Sequence, residues 1–515
     1  MAFVLIGFMG AGKSTAAREL AAALGSGWED SDELLAERLG HPVAREFELH
    51  GEASFRAREE ELVCELLAGA PARAVIALGG GSVLSERVRA ALRAHVTVLL
   101  DVEPGLAWER VGAREGAGER PLARDPADFR RLHAERAELY ETLADAIVPV
   151  PGARTAGLLE PALVALAGAP RGSRLLWAGS ASGEYPVLIG RGLLEAGVAE
   201  TVWPLDRARS RAFCVSDENV AALYAGGLGE LALTVSIAPG EESKTLAEAE
   251  RIWRALLAAG MTRADHLVAL GGGVVGDLAG FCAATYQRGV PVVQLPTTLL
   301  AQVDSAYGGK TGVDLPEAKN YIGAYHQPAG VIVDPDVLAS LPRGELEAGW
   351  VEVLKTALIA GGKLWETVAG GAEADEWTIF ACARTKLATV AADERDGGRR
   401  QVLNLGHTVG HAIETVTGYA RYRHGEAVGL GLLAALRLSG QDGLRARVGE
   451  LLAEHGLPVR YEDADVDAVL AAIGRDKKRT GAEVPFVLVR APGEVSYGCE
   501  VGGDELRAAV AELAA

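Results

Sequence analysis

At 515 residues the chain is too long for one ordinary core, and two to four domains are expected. Its formal net charge of -19, from 51 basic and 70 acidic side chains, excludes general nucleic-acid binding, because phosphate backbones need a basic surface. Five scattered cysteines without a C-x-x-C pair (Cys64, Cys214, Cys282, Cys382, Cys499) argue against a disulfide framework or a cysteine zinc site and fit a reducing cytoplasm.

The elements follow in chain order. Met1 to Ile6 lacks a basic leader and Lys13 interrupts the apolar run, so Phe3 to Ile6 reads as a first strand and not as a signal peptide. Ser14 to Leu24 is helix-like, and Ala74 to Leu78 and Val96 to Leu100 are strand-like. Such alternation predicts a parallel sheet covered by helices. Residues 169–173 lie in a small-residue, Pro/Gly-rich stretch that reads as a linker, closing a first domain at 1–168. A second α/β region, 174–343, carries strands at Phe213 to Val215, Leu267 to Leu270 and Val292 to Leu295. From about Gly344 to residue 515 the pattern is helical and rich in Ala and Leu. The expectation is therefore α/β throughout: a parallel-sheet domain, then an α/β lobe and an all-helical lobe with a substrate cleft between them. No apolar stretch reaches the roughly 20 residues that a membrane helix needs.

The first strand runs straight into Gly7-Phe8-Met9-Gly10-Ala11-Gly12-Lys13-Ser14, a G-x-x-x-x-G-K-[ST] phosphate loop that opens a helix. Backbone N–H groups from Gly10, Ala11 and Gly12 through Ser14 and Thr15 can point at phosphate oxygens. Lys13 can reach the β- and γ-phosphates, and the Ser14 hydroxyl can serve Mg²⁺. Downstream come Asp30-Ser31-Asp32, Arg56 with Glu59, Leu78-Gly79-Gly80-Gly81, Arg120-Pro121-Leu122 and Arg136. Singly, the aspartates read equally well as a helix cap and the arginines as a solvated face.

In this order and within a domain of this size, the set resembles shikimate kinase, a P-loop kinase. The resemblance implies ATP- and Mg²⁺-dependent phosphorylation of shikimate. Asp32 would bind the ring hydroxyls and assist their deprotonation, and Asp30 would be the carboxylate on the Mg²⁺ side. Arg56, Gly80, Gly81 and Arg136 would hold the acceptor's carboxylate and ring, while Arg120 would close over the ATP phosphates as a lid. Ser31 stands where threonine is commoner, and residues 145–149 lack the polar run that often contacts adenine.

In the last third, His407 and His411 stand four apart on one helix face, His424-Gly425-Glu426 follows, and Glu352 sits in a helical pattern. Three ligands drawn from Glu and His, with an open position, is the composition of a catalytic zinc. Spacing alone makes His411 as good a ligand as its neighbours.

Around these residues lie Pro239-Gly240-Glu241-Glu242-Ser243-Lys244, Gly271-Gly272-Gly273-Val274-Val275-Gly276-Asp277, Arg288-Gly289 and Pro296-Thr297-Thr298. Asp304 to Lys310, Lys319-Asn320, Arg400 and Asn404 complete the series, which looks like 3-dehydroquinate synthase over roughly residues 174 to 515. That resemblance implies an α/β lobe that binds NAD and a helical lobe that holds Zn²⁺ or Co²⁺ through Glu352, His407 and His424, with a catalytic role for His411. Asp217, Asn219, Glu241, Lys244, Gly272 and Gly273 match NAD-binding positions, as do Val274, Asp277, Thr297, Thr298, Lys310 and Lys319. Asp304, Lys310, Asn320, Lys355 and Lys386 match a substrate cage completed by Arg288, Arg400, Asn404 and one of Lys477 or Lys478.

The implied reaction turns 3-deoxy-D-arabino-heptulosonate 7-phosphate into 3-dehydroquinate and phosphate, with NAD regenerated. A substrate bearing both phosphate and carboxylate accounts for so many cations in an acidic chain. The implied partners are small molecules, with neither nucleic acid nor membrane, and with room for a homodimer through the synthase part. The competing reading is a nucleotide-binding regulatory module fused to a metal-dependent polyol dehydrogenase. Neutral alcohols would have little use for Lys310, Lys355, Lys386 and Arg400 together, and a nucleotide sensor would not need Asp32, Arg56 and Arg136.

Overall fold

The computed structural model describes residues 1–112, 125–150, 156–474 and 484–515. Two compact units emerge, one of Met1–Gly179 with Glu184–Leu188 and Glu200–Pro204, the other of Ser180–Gly183, Ile189–Ala199 and Leu205–Ala515.

The first unit is built on β1 (Phe3–Ile6), β2 (Trp28–Asp30), β3 (Val75–Ala77), β4 (Val96–Val102), β5 (Ala146–Val150), β6 (Arg174–Gly179) and β7 (Glu184–Ile189), in the order β2-β3-β1-β4-β5-β6-β7. All four β1 residues are buried, as a strand covered on both faces requires. Parallel pairing sets Val4 beside Ile76 of β3 and Thr97 of β4. Because β1 has later strands on both sides, the chain changes direction at its carboxyl end, where open α/β sheets place ligands. Residues just past the expected linker join this sheet, with Leu175 of β6 in register with Ala146 of β5.

In the second unit β8 (Ala212–Asp217), β9 (Leu233–Ile237), β10 (His266–Gly271), β11 (Val292–Pro296) and β14 (Gly330–Val333) form parallel pairs in the order β14-β11-β10-β8-β9. β8 is followed by β9 on one side and β10 on the other, so the carboxyl ends of β8 and β10 flank a second such crevice. The core beneath it is aliphatic, with Ile252, Leu256, Leu267, Leu278 and Val292 buried. Between β11 and β14 an antiparallel hairpin, β12 (Lys310–Leu315) with β13 (Ala318–Tyr325), reaches outward.

The rest is mostly helical, beginning with Arg343–Ala360 and Glu376–Ala392 and continuing through His407–Val416 and His424–Leu438. The lobe expected to be all-helical also holds a hairpin, β15 (Phe486–Ala491) with β16 (Glu494–Cys499). It packs against helix 424–438, and the Val489 N–H donates to Ser439 Oγ at 2.9 Å. Phe486, Val487 and Val489 are buried, and this short apolar run has no alternation to set it apart from the surrounding helical pattern. No described helix is long and apolar enough to cross a membrane.

Candidate active sites

The phosphate loop leaves β1 and enters helix Lys13–Leu24 through Gly10 and Gly12, whose φ values of 84° and 89° are left-handed. Gly10 is also tightly enclosed, for a Cβ there would lie 2.5 Å from the Ala107 carbonyl oxygen. Lys13 Nζ donates to the Gly7 and Phe8 carbonyls at 2.9 and 3.3 Å, which folds its ammonium over the loop. Ser14 Oγ donates to Asp30 Oδ2 at 2.6 Å, while Asp30 Oδ1 accepts the Asp32 and Glu33 backbone N–H groups at 2.9 and 3.4 Å. Asp30 is thus both a helix cap and a carboxylate beside the Ser14 hydroxyl, a donor set that suits a hard cation. Ala11 is buried and Thr15 is exposed on the first helical turn.

The acceptor residues gather at Gly79-Gly80-Gly81. A Cβ on Gly79 would meet Asp32 Oδ1 at 2.5 Å, and one on Gly81 would overlap the Arg56 guanidinium. Arg136, buried, donates to the Gly80 carbonyl at 3.4 Å. Gly80 itself lies against the loop, with Met9 N 3.5 Å and Gly7 O 3.6 Å from where its Cβ would be. Asp32, Arg56 and Arg136 therefore converge next to the phosphate loop; Arg120 lies outside the described residues.

Several contributors carry no motif. Buried Glu59 accepts from Arg56 Nη1 at 2.6 Å and from Ser82 Oγ at 2.8 Å, which fixes the arginine. Arg110 Nη1 reaches the Gly10 carbonyl at 3.4 Å. Tyr140 donates to the Gly80 carbonyl, and burial pushes its hydroxyl up to about 12. Glu59, already noted three residues from Arg56, and Tyr140, four residues from Arg136, each had a spacing signal on one helix.

The second site is a cleft of about 1460 Å³ within the second unit. On its α/β side are Asp217 at the end of β8, Glu241, Lys244, and the Gly272-Gly273-Val274 turn that starts helix Gly273–Thr285 after β10. A Cβ on Gly272 would press on Thr298 Cγ2 at 2.7 Å, so glycine keeps backbone N–H groups accessible at a helix start, a surface that fits a dinucleotide's phosphates. Asn219, Asp277 and Thr297 line the same side. Lys244 stands 2.9 Å from Glu241 and 3.2 Å from Asp277. Burial works against its charge, yet Asp277, Glu241 and Asp314 outweigh that and hold the ammonium charged.

Across the cleft three helices approach closely because glycines let them. A Cβ on Gly425 would overlap the Ala348 carbonyl oxygen, and one on Gly431 the Gly406 carbonyl oxygen. This brings together Glu352 on helix 343–360, His407 on helix 407–416 and His424 on helix 424–438. Glu352 is 1% exposed, and both oxygens lack a hydrogen-bond partner although Lys355 forms an ion pair with it. Nε2 of His407 and Nε2 of His424 each lie 3.7 Å from Glu352 Oε1. His411 joins them, since one ligand nitrogen from each histidine lies within 4.8 Å of the others. A buried carboxylate with one oxygen faced by two imidazole nitrogens fits a divalent cation.

Between the two sides lies a cage of cations. One π-helical turn, Ala301–Ser305, carries Asp304, which pairs with Lys355 at 2.8 Å and with Lys386. Such turns are rare and cluster at functional sites. Arg400, 1% exposed, donates to the Gly308 carbonyl at 3.1 Å, and Lys310 pairs with Asp396. Burial, helped by Arg400, pulls the Lys386 ammonium from its ordinary 10.5 down to about 7 against the pull of Asp277 and Asp396. Lys319, Asn320 and Asn404 also line the cleft. Arg288 does not. It is exposed, in a turn where Gln287 and Arg288 take left-handed φ values of 49° and 69°. Lys477 and Lys478 lie outside the described residues.

Glu414 was not singled out by any motif. It is buried, seven residues after His407 on the same helix, beside His424 and Lys319. Burial raises its carboxyl, but the hydrogen bond and charge of His424 and the charges of His411 and Lys319 outweigh that and bring it down to about 2. Its i, i+7 relation to His407 was the available signal.

Comparison with known proteins adds the following. Family models described as 3-dehydroquinate synthase N-terminal and 3-dehydroquinate synthase C-terminal match residues 234–348 and 349–479, and one described as Shikimate kinase matches residues 9–160. The 3-dehydroquinate synthase of Halorhodospira halophila is 44% identical over 337 residues, covering 62% of this chain and 94% of that protein. That of Caulobacter vibrioides is 42% identical over 356 residues, covering 64% and 95%. Among solved structures, 2-epi-5-epi-valiolone synthase from Streptomyces hygroscopicus, with NAD+ and Zn2+ bound, is 26% identical with a TM-score of 0.58, covering 64% of this chain and 96% of that one. A 2-deoxy-scyllo-inosose synthase, 24% identical with a TM-score of 0.59 and covering 66% and 99%, shares the fold.

Proposed function

Since the chain belongs to the 3-dehydroquinate synthase family over its larger part and carries a shikimate kinase domain ahead of it, we propose how its side chains divide the work of the two reactions. The chain is a bifunctional enzyme of the shikimate pathway, a phosphotransferase and a lyase in one polypeptide. Its families set aside the polyol dehydrogenase reading.

In the kinase we assign the ATP phosphates to the loop N–H groups and Lys13, and Mg²⁺ to Ser14 and Asp30. Phosphoryl transfer is mostly positioning and charge neutralisation, which these groups and Arg120 would supply. Asp32 would take the proton of the attacking hydroxyl, and Arg56 and Arg136 would clamp the acceptor's carboxylate. The convergence of those three residues at Gly79 to Gly81, against the loop, supports this assignment.

In the synthase we assign NAD to the crevice at the ends of β8 and β10, and Zn²⁺ or Co²⁺ to Glu352, His407 and His424. NAD and the metal would together supply reversible oxidation of a secondary alcohol whose oxygen is polarised by a Lewis acid. The remaining work falls to the chain's own groups. Asp304 holds Lys355 and Lys386 side by side, and with Lys310, Asn320, Arg400 and Asn404 they would bind and orient the phosphate and carboxylate. His411, whose ring nitrogen stands with those of His407 and His424, is assigned proton transfer at the substrate on the family resemblance. The observation that carries this reading is the buried Glu352 carboxylate, whose Oε1 lies 3.7 Å from the Nε2 atoms of both His407 and His424 while Lys355 pairs with its Oε2.

We place the kinase residues within 1–168 and the synthase residues within 174–343 and 344–515 across the 169–173 linker, with β6 and β7 beyond it completing the first unit's sheet, and expect a homodimer, if one forms, through the synthase part. The experiment is a coupled assay of each activity on the intact chain. Shikimate phosphorylation should need Mg²⁺ and ATP, and phosphate release should need NAD and a divalent cation. Synthase turnover unaffected by stripping both would overturn the cofactor assignment.

A further inference from the structure

Glu414 has no part in the roles assigned above, yet it is 2% exposed on the helical side of the cleft. Its Oε2 lies 3.4 Å from His424 Nδ1, and its Oε1 lies 3.7 Å from Lys319 Nζ on β13. Lys319 is itself held, with its ammonium 4.4 Å over the Tyr419 ring and 3.9 Å from Glu241 Oε1.

A neutral imidazole has one N–H and one lone pair, and the partner of one nitrogen decides which is left for a metal. An ionised carboxylate only accepts, so Glu414 favours the proton on Nδ1 of His424. The lone pair is then on Nε2, the atom that faces Glu352 Oε1 at 3.7 Å. His407 is treated alike by a different group: its Nδ1 is 3.1 Å from the Leu405 carbonyl oxygen, and its Nε2 faces the same Glu352 oxygen at 3.7 Å. The carbonyl is fixed by the backbone. A side-chain carboxylate must be held in place, and Lys319 does this from the opposite wall of the cleft.

We propose that Glu414 is a positioning residue that holds His424 in its Nδ1-protonated form with Nε2 turned to the metal position, and is itself anchored by Lys319. The proposal rests on the assignment of Glu352, His407 and His424 as ligands. Groups that orient a ligating histidine typically change metal affinity by about 10–100-fold when removed. A buried acid with only a packing role would change the melting temperature and leave the metal alone.

The test uses the full-length chain with Co²⁺ as the probe. Affinity is measured against a chromophoric chelator, coordination is read from the visible absorption of Co²⁺, and folding is followed by thermal melting. Glu414→Ala should bind Co²⁺ about 10–100-fold more weakly, with an altered visible band. Glu414→Gln keeps an acceptor oxygen for Nδ1 and should lose less than about tenfold. Wild-type affinity and an unchanged band in Glu414→Ala would overturn the proposal, whatever happens to turnover. Should the alanine chain fail to fold, Glu414→Leu, which fills the space without an acceptor, takes its place, and wild-type affinity with an unchanged band in that chain would overturn it equally. If the wild-type chain takes up no Co²⁺, the ligand assignment falls and the proposal with it. Wild-type uptake alongside an unaltered variant removes the proposal alone.

Discussion

The phosphate loop and the metal cleft both receive anionic ligands in an acidic chain, but they are made of different material. At Gly7 to Ser14 the positive field comes from backbone N–H groups and a helix start, aided by one ammonium that rests on the loop's own carbonyls. In the cleft it comes from side chains, namely Lys355, Lys386 and Arg400, all nearly buried and paired with acids or carbonyls. A backbone site tolerates changes around it provided the loop keeps its shape. A cage of buried charges is more sensitive, because breaking a buried pair costs about 3–5 kcal/mol where the charge left behind finds no other partner.

The two sites should therefore break separately. Lys13→Ala should lower kinase turnover by roughly a hundredfold to a thousandfold or more while phosphate release by the synthase stays near wild type. Both assays run on one preparation check this, and a folded variant that loses both would show that the sites are coupled.

His424→Ala is the counterpart in the cleft. It leaves two of the three assigned protein ligands, too few to hold an open tetrahedral site firmly. Metal content by elemental analysis and synthase turnover should fall together, with kinase turnover retained. Full metal content in that variant would point to His411 as the third nitrogen donor.

A smaller effect comes from Lys386, which loses its proton near pH 7 in the fold. Below that pH it already carries the charge that a phosphate dianion needs. Above it, binding must take up a proton, so affinity for the phosphorylated substrate should fall as pH rises, by at most about tenfold per unit. Lys386→Arg, charged throughout, should flatten the rise in KM between pH 7 and pH 9. An unchanged profile would assign the titration to another group.

The smallest expected effect concerns the boundary. A fragment ending at Gly168 keeps every assigned kinase residue but lacks β6, whose Leu175 N–H donates to the Asp145 carbonyl at 2.8 Å. It should keep kinase turnover yet melt several degrees below a fragment ending at Pro204. Equal melting temperatures would place the boundary at the linker.

The same contrast explains how much could be read before the fold was known. The loop is contiguous, and strands such as Leu267 to Leu270 are unbroken apolar runs ending at a glycine, so their pattern is local. Glu352, His407 and His424 come from three helices, and their spacing left His411 an equal candidate. What orients them was beyond reach: Leu405 acts through its carbonyl, and Glu414 gains its meaning only when Lys319 arrives from β13. Asp304 owes its aim to a π turn, which follows from packing and not from residue type. Arg288 shows the converse, a residue in the expected motif that is exposed and does not line the cleft of this chain.

The central claim is that the cleft uses NAD without net consumption and ends each cycle with phosphate released. Absorbance in the reduced-nicotinamide band, followed with phosphate release through many turnovers of the wild-type chain, tests it most directly. The account predicts phosphate accumulating steadily while NADH does not. NADH rising in proportion to product would identify a dehydrogenase and contradict the account.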